Sequence, residues 1–338
     1  MCNRYSESIL LPNLIRIKNN LIIAKFELMK ILPAKYIIDS AIRNNKISPE
    51  IPIVETSSGS FALGLGIVCT ELKLPFYIIS DSSIDPLLEQ QLIQLGGKVQ
   101  ILPMALTQNN PQEVRLKELK EYLKNSPKSY WTCQYDNLDN QNSYNLFADY
   151  LIKELGKNFS LVGAVGSGGS TCGTIKKIRE ANYSVRLIGV DTFGSILFGL
   201  PNKKRILRGL GNSIMPKNLY HQYFDEVHWV NANDAFFYTR KLYSETSLFC
   251  GGTTGAAYQV AHWLSEKNPN DLIVFIAADT GHRYLNTIYN NFWLKENDLR
   301  TSITKEPTEI FHPLEATKFS WCHLKWKRRY YNDVVIAL

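Results

Sequence analysis

The sequence predicts an α/β protein of two lobes, each built on a doubly wound, parallel-rich twisted sheet flanked by helices. Strand-length apolar runs alternate with helical segments for most of the chain, the pattern of buried parallel strands with helical crossovers. The chain is 338 residues long, more than one small core needs and enough for two lobes sharing a cleft. Three turns rich in glycine and hydroxyl residues each lie between an apolar run and a helix, where open α/β sheets bind small ligands.

Ile51 to Glu55 is the first clear strand run, followed by a Ser/Gly turn and a helical stretch from Phe61 to Leu72. Pro75 to Ser80 reads as a buried strand. Asp85-Pro86 then supplies an N-cap and a first-turn proline, Leu88, Leu92 and Leu95 share one face, and Gly96-Gly97 stops the helix. Val99 to Leu102 is the next strand, after which Thr107 to Pro111 is a loop leading into a charged helix. Asn137 to Ser143 is a polar connection and marks the lobe boundary; the helix after it carries Phe147, Leu151 and Leu155 on one face. The alternation resumes with Leu161 to Val165, the helix after Ser170, Arg186 to Val190, and Leu272 to Ala277. Thr301 to Leu338 loses the pattern and reads as a tail packed on the body or on a partner subunit.

A hydrophobic content of 45% with 20% charged residues excludes a disordered or fibrous chain. The net charge of +7 is scattered, which suits small anions better than nucleic acid. The basic run Lys325 to Arg329 reads as a solvated edge. The cysteines at 2, 69, 133, 172, 250 and 322 form no C-x-x-C pair, so reduced thiols are expected, with no disulfide framework and no metal site. Met1 to Asn13 lacks the pattern of a signal peptide, and the apolar stretch Leu272 to Ala278 is far short of a membrane span. A cytoplasmic protein with no membrane partner is the expectation.

The strongest chemical signal is Gly166-Ser-Gly-Gly-Ser170, directly after a strand and opening a helix. Glycines there let backbone N–H groups close around an anion, the helix N-terminus adds favourable potential, and Ser167 and Ser170 add hydroxyl donors. The spacing is not the dinucleotide G-x-G-x-x-G and no G-K-[ST] follows, which disfavours a nucleotide. A flexible strand-to-helix turn is the bland alternative for such a run. Glu55-Thr-Ser-Ser-Gly-Ser60 and Cys250-Gly-Gly-Thr-Thr-Gly255 are the other two turns; by themselves they indicate a small anionic ligand.

These turns in this order, with Gln134-Tyr135, Gly209-Leu-Gly211 and Asp279-Thr-Gly-His-Arg-Tyr-Leu285, resemble the fold-type II pyridoxal-phosphate enzymes. That group has the fold of the tryptophan synthase β subunit and includes cysteine synthases and cystathionine β-synthases. The likeness runs from about Leu11 to Trp293. Gly189 to Gly199 and Arg283 to Tyr289 followed by Trp293 are most similar to the branch of N-(2-amino-2-carboxyethyl)-L-glutamate synthases, which join O-phosphoserine and glutamate on the route to 2,3-diaminopropionate. The resemblance implies pyridoxal 5′-phosphate as cofactor and β-replacement on an activated serine, O-phosphoserine or O-acetylserine, through an aminoacrylate to which a glutamate-like amino acid or a thiol or sulfide adds. Amino acids are then the small-molecule partners and a homodimer is expected. It implies a large cofactor-phosphate lobe of residues 1–29 and 141–300, a smaller mobile lobe of 30–140, and a C-terminal extension of 301–338.

Residue by residue, the resemblance places Lys25-Phe-Glu27 in the strand before the Schiff-base lysine, and Lys35, at the start of the first small-lobe helix, as that lysine. Gly166, Ser167, Gly168, Gly169 and Ser170 match the phosphate loop. Ser57 and Ser58 fall in the loop that grips the substrate carboxylate, helped by Gln134. Thr280 faces the pyridine nitrogen, and Gly209 and Gly211 line the substrate pocket. A hydroxyl at that nitrogen leaves the ring largely neutral and favours loss of a β-substituent.

Two segments depart from the family. The Asn-Pro … Ser-x-Lys-Asp-Arg stretch is replaced by Lys30-Ile-Leu-Pro-Ala-Lys35-Tyr36, which leaves an ordinary surface lysine as the bland reading of Lys35. Ser60 stands where the family has an asparagine on the cofactor ring oxygen, and serine reaches less far. His228 and His262 read as packing residues, His282 as a surface residue, and Cys172 as a small packing residue. Lys203, Lys204, Arg205 and Arg208 read as solvated, with contact to an anionic second substrate as the alternative. A β-eliminating lyase or dehydratase, or a weakened cofactor-binding partner protein, are the rival functions.

Overall fold

The computed structural model describes residues 1–107, 110–299 and 303–336. Among them, eight strands form one sheet and four form another. In chain order the strands are β1 (Asn13–Lys18), β2 (Leu21–Lys25), β3 (Ile53–Thr56), β4 (Phe76–Asp81), β5 (Lys98–Leu102), β6 (Tyr130–Trp131), β7 (Ser160–Ala164), β8 (Arg186–Thr192), β9 (Glu226–Val230), β10 (Ile273–Ala277), β11 (Thr308–Glu309) and β12 (Trp321–Leu324). The smaller sheet, β5-β4-β3-β6, is parallel throughout. The larger runs β1-β2-β10-β7-β8-β9-β12-β11, with a parallel centre from β2 to β9 and antiparallel pairs β1–β2 and β9–β12 towards its edges.

Period-two alternation sorts the apolar side chains onto the two faces of the large sheet. In β8, Leu187 joins Phe147, Ile175 and Phe224 on one side, and Ile188 and Val190 join Ala257, Val260 and Phe275 on the other. The small sheet has its own core, with Ile53 and Ile78 packed against Ile37, Leu65 and Leu88. The helix Pro86–Gln94 begins as its residues dictate, with the Asp85 carboxylate accepting from Leu87 N at 2.9 Å and Gly96 in the left-handed region at φ +87°.

Two segments differ from the sequence expectation. Asn137 to Ser143 is not an open connection: Leu138–Asn142 is a short helix capped by Asn137, with Asn140 and Gln141 buried. Their amides donate to Gln134 O at 2.6 Å and Asn218 O at 2.8 Å, so the polar side chains that read as loop are spent on backbone acceptors inside the protein. The tail packs on the body of its own chain, where β12 pairs with β9 and Trp321 and Trp326 are fully buried. Residues 301, 302, 337 and 338 of the tail, and Gln108 and Asn109 of the predicted loop, lie outside the described residues.

A polar clasp fastens β12 to the sheet. Glu226 Oε1 lies 2.9 Å from His228 Nε2 and 2.7 Å from His323 Nδ1, while Oε2 takes Arg186 at 3.0 Å. Trp321 Nε1 donates to His228 Nδ1 at 3.2 Å, which leaves the His228 proton on Nε2, facing the carboxylate. Burial raises the Glu226 carboxyl, but hydrogen bonds from His228 and His323 outweigh it and hold the group well below the usual range.

Candidate active site

The three small-residue turns open the helices Ser60–Glu71, Gly169–Ala181 and Gly252–Lys267, and none of these helices has a side-chain cap at its start. The helices Pro86–Gln94, Pro111–Asn125 and Ala232–Thr246, by contrast, are capped by Asp85, Asn110 and Asn231. The first two uncapped helices follow β3 and β7 at the carboxyl ends of parallel strands, and the third follows the helix Ala232–Thr246; uncapped N-terminal N–H groups are donors left for an anion.

In the turn after β7, Gly168 has φ +81°, and a Cβ there would lie 2.6 Å from Asn218 O. Only glycine fits. A Cβ on Gly169 would collide with the Asn140 amide. Ser167 and Ser170 are buried, and Ser167 Oγ accepts from Gly169 N at 3.3 Å. Gly209 and Gly211, at φ +85° and +70°, bring their loop beside this turn: a Gly166 Cβ would meet Gly209 O at 3.4 Å, and Gly211 N donates to Val165 O at 2.8 Å. Thr253, whose buried Oγ1 has no hydrogen-bond partner among the described residues, packs against Gly209. A cradle this tight, ending at a helix N-terminus, fits a phosphate.

Across from it, Ser57 and Gln134 are buried, Ser58 and Ser60 half-buried. Gln134 Nε2 donates to Thr56 O at 3.0 Å, joining the first turn to the segment after β6. Thr280 is half-buried, pairs with Cys250 across an isolated bridge, and its Oγ1 lies 3.1 Å from His282 Nδ1.

Lysine placement is where the structure parts from the sequence expectation. Lys35 is half-buried on the helix Ile31–Arg43, next to the exposed Tyr36, and its amine is engaged by Asp39, one turn on, at 3.0 Å. Lys30 is the residue at the head of that helix. Met29 N donates to Ala278 O, Leu28 bridges to Asp279, and a Cβ on Gly64 would come within 2.8 Å of Lys30 O. The residue thus stands between the Asp279-Thr280 turn and the helix that follows Ser57–Ser60. Its amine has no hydrogen-bond or ion-pair partner among the described residues, and burial pulls its pKa down to about 8. At about 100° per residue, Lys35 projects roughly 140° around the helix from Lys30. The signal was in the sequence: Lys30 interrupts the apolar run Leu28 to Ala34, whereas Lys35 has an acid at i+4.

Among the basic residues expected in solvent, Lys203 and Lys204 are exposed. Arg205 donates to Gly194 O, and Arg208 reaches across to Ser83 O, after β4 of the small sheet. Ser213 Oγ and Asn110 Oδ1, 2.9 Å apart, make a second bridge between the Gly209–Gly211 side and the small-sheet side.

The architecture and the cradle define a two-sheet α/β enzyme built to hold a phosphorylated cofactor against a lysine. Residues 29–279 match the family model described as pyridoxal-phosphate dependent enzyme, and the chain belongs to that family. It is 29% identical over 321 residues, 90% of this chain and 94% of the relative, to N-(2-amino-2-carboxyethyl)-L-glutamate synthase of Cupriavidus metallidurans. The corresponding synthase of Ralstonia nicotianae is 31% identical over 78% of each chain. Among solved structures, the O-acetylserine dependent cystathionine β-synthase of Helicobacter pylori superposes with a TM-score of 0.79 at 26% identity, covering 86% of this chain and 99% of that one.

Proposed function

We propose that the chain replaces the β-substituent of an activated L-serine, O-phosphoserine or O-acetylserine, with a nucleophile, and that an amino-acid amine of the glutamate kind serves better than sulfide. The unpartnered Lys30 amine, set among the turns just described, carries the reading. Bound pyridoxal phosphate would supply the electron sink for cleavage at Cα and Cβ. Lys30 is the lysine that holds the cofactor aldehyde and the base that moves the Cα proton; a lysine with a pKa near 8 is neutral often enough to do both. Gly166 to Ser170 hold the phosphate, Thr280 faces the ring nitrogen, Ser57, Ser58 and Gln134 take the substrate carboxylate, and Gly209 and Gly211 shape the pocket. Ser60 has a shorter reach towards the ring than an asparagine would.

In the same proposal residues 1–29 and 141–300 form the cofactor-phosphate lobe and 30–140 the smaller one, in keeping with the separate sheets. A homodimer is supported by exposed apolar side chains around one hollow, Phe237, Tyr243 and Leu285, with Phe249 and Tyr289 beneath. No helix of the described residues is long and apolar enough to cross a membrane, and a cytoplasmic location belongs to the proposal. The test is product analysis by mass spectrometry after mixing cofactor-loaded protein with each activated serine, with and without glutamate. A joined amino-acid product supports the reading; pyruvate and ammonia alone, whatever nucleophile is present, point to the eliminating lyase and sink it.

A further inference from the structure

Glu55 is fully buried in β3, the strand that leads into the Ser57–Ser60 turn. Its carboxylate accepts four hydrogen bonds. Oε1 takes Thr56 N at 2.6 Å and Trp131 Nε1 at 3.3 Å; Oε2 takes Thr132 Oγ1 at 2.5 Å and Gln134 N at 3.1 Å. Two donors on each oxygen use the acceptor capacity of a carboxylate, and all four donors are neutral groups. A glutamine here would turn an NH2 towards two N–H or O–H donors. The donors come from both sides of the candidate substrate grip: Thr56 begins the serine turn, and Thr132 and Gln134 flank Cys133.

Cys133 is held in the left-handed region at φ +52°, a conformation that costs a non-glycine residue free energy. That twist is what lets the Thr132 hydroxyl and the Gln134 N–H converge on one oxygen. Gln134 then returns a bond to Thr56 O, and its own carbonyl accepts from Asn140 and Asn218 at 2.6 and 3.2 Å. Asn140 abuts Gly169 in the phosphate turn. The carboxylate therefore joins the serine turn, Gln134 and the phosphate cradle into one hydrogen-bonded unit.

We infer that Glu55 is a positioning residue: it holds Gln134 and the Ser57–Ser58 turn in register so that together they grip the α-carboxylate of an amino-acid substrate. The inference rests on the substrate class proposed above. The test uses cofactor-loaded full-length protein and compares binding of L-serine with that of L-serine methyl ester, read from the visible absorbance. Unaltered protein prefers the free acid. In Glu55→Gln, affinity for the acid falls about 10- to 100-fold, the range a hydrogen-bonded charge supplies, while affinity for the ester changes less than about 3-fold. Thr132→Val, which leaves the carboxylate and removes one donor, falls between, and Thr132→Ser regains the unaltered preference. If Glu55→Gln does not fold, the threonine pair decides on the same criterion. Equal weakening of acid and ester in these variants, or full retention of the preference, overturns the inference alone. Unaltered protein that does not distinguish acid from ester overturns the substrate reading and this inference with it.

Discussion

Replacing Lys30 with alanine removes an amine that has no hydrogen-bond or ion-pair partner among the described residues, and the consequence for cofactor capture can be worked from its environment. An ordinary lysine at pKa 10.5 is neutral in about one molecule in 3,000 at pH 7, whereas at about 8 the fraction is about one in eleven. Only the neutral amine attacks an aldehyde, so Lys30 condenses with pyridoxal phosphate on the order of 300 times faster than a solvated lysine of the same intrinsic reactivity. The rate of uptake rises with pH and levels off above about 8, because the folded-state pKa is lowered and the reactive form is the deprotonated one. The assay is the growth of visible absorbance after adding cofactor, then borohydride reduction and peptide mapping. Lys30→Ala shows no covalent attachment, and Lys35→Ala shows attachment within about 2-fold of the unaltered rate, because its amine is engaged in a half-buried i,i+4 pair with Asp39. Reduced cofactor on the peptide that carries Lys35, or a Lys30→Ala protein that still binds covalently, refutes the assignment.

The same desolvated amine costs the cofactor-free protein stability, fully below about pH 8 and not at all above pH 10.5, so Lys30→Met raises the unfolding free energy at neutral pH by at most about 3 kcal/mol, and the melting temperature with it. The clasp on β12 makes stability fall on acidification. His228 is pushed below 6.5 by burial, so the unfolded chain takes up its proton first as pH drops, and protonation of Glu226, held low, adds to the loss in stronger acid. Thermal melts and tryptophan fluorescence between pH 7 and 4 show a loss that Glu226→Gln deepens, because the carboxylate is what opposes the downward pull of burial on His228; an unchanged profile counts against the clasp. Gly168→Ala forces φ +81° on a residue with a Cβ and drives that Cβ into Asn218, costing about 1–3 kcal/mol locally and weakening pyridoxal phosphate binding at least 10-fold by equilibrium titration. Light scattering of the eluted protein gives a dimer mass, and Phe237→Glu shifts it towards the monomer; a monomeric unaltered protein removes the homodimer from the proposal.

Most strands and the three glycine- and hydroxyl-rich turns were legible because local rules act at those places. Apolar runs bounded by glycine, proline or aspartate mark β3, β4, β5, β7, β8 and β10, and Asp85-Pro86 announces its helix. The edges of the large sheet were harder. In β12 the sequence Trp321-Cys-His-Leu324 pairs a buried imidazole with a carboxylate from β9, nearly a hundred residues away, and no local pattern records that. Asn137 to Ser143 misled for a similar reason: its asparagines are polar as loops are, but their amides serve distant carbonyls. In the site, the anion turns follow from glycine and serine chemistry alone, whereas the lysine depends on chain length between β2 and the helix. On the proposed reading the amine that meets the cofactor is that of Lys30 rather than Lys35, and the local sign of it is that Lys30 interrupts the apolar run Leu28 to Ala34. Glu55 carries no motif; its importance appears only when four donors from two separate segments, at Thr56 and at Trp131 to Gln134, converge on it.

The large sheet also dictates an order of assembly. Its first hairpin, β1 and β2, must wait for β10, some 250 residues downstream, and the opposite side is finished only when β12 reaches β9. A ribosome has therefore released nearly the whole polypeptide before either flank can close, whereas β3 to β6 lie within one contiguous stretch and can pair much earlier. Until synthesis is complete, unpaired backbone along β2, β7 and β9 is the part of the nascent chain most open to chaperones, and to aggregation.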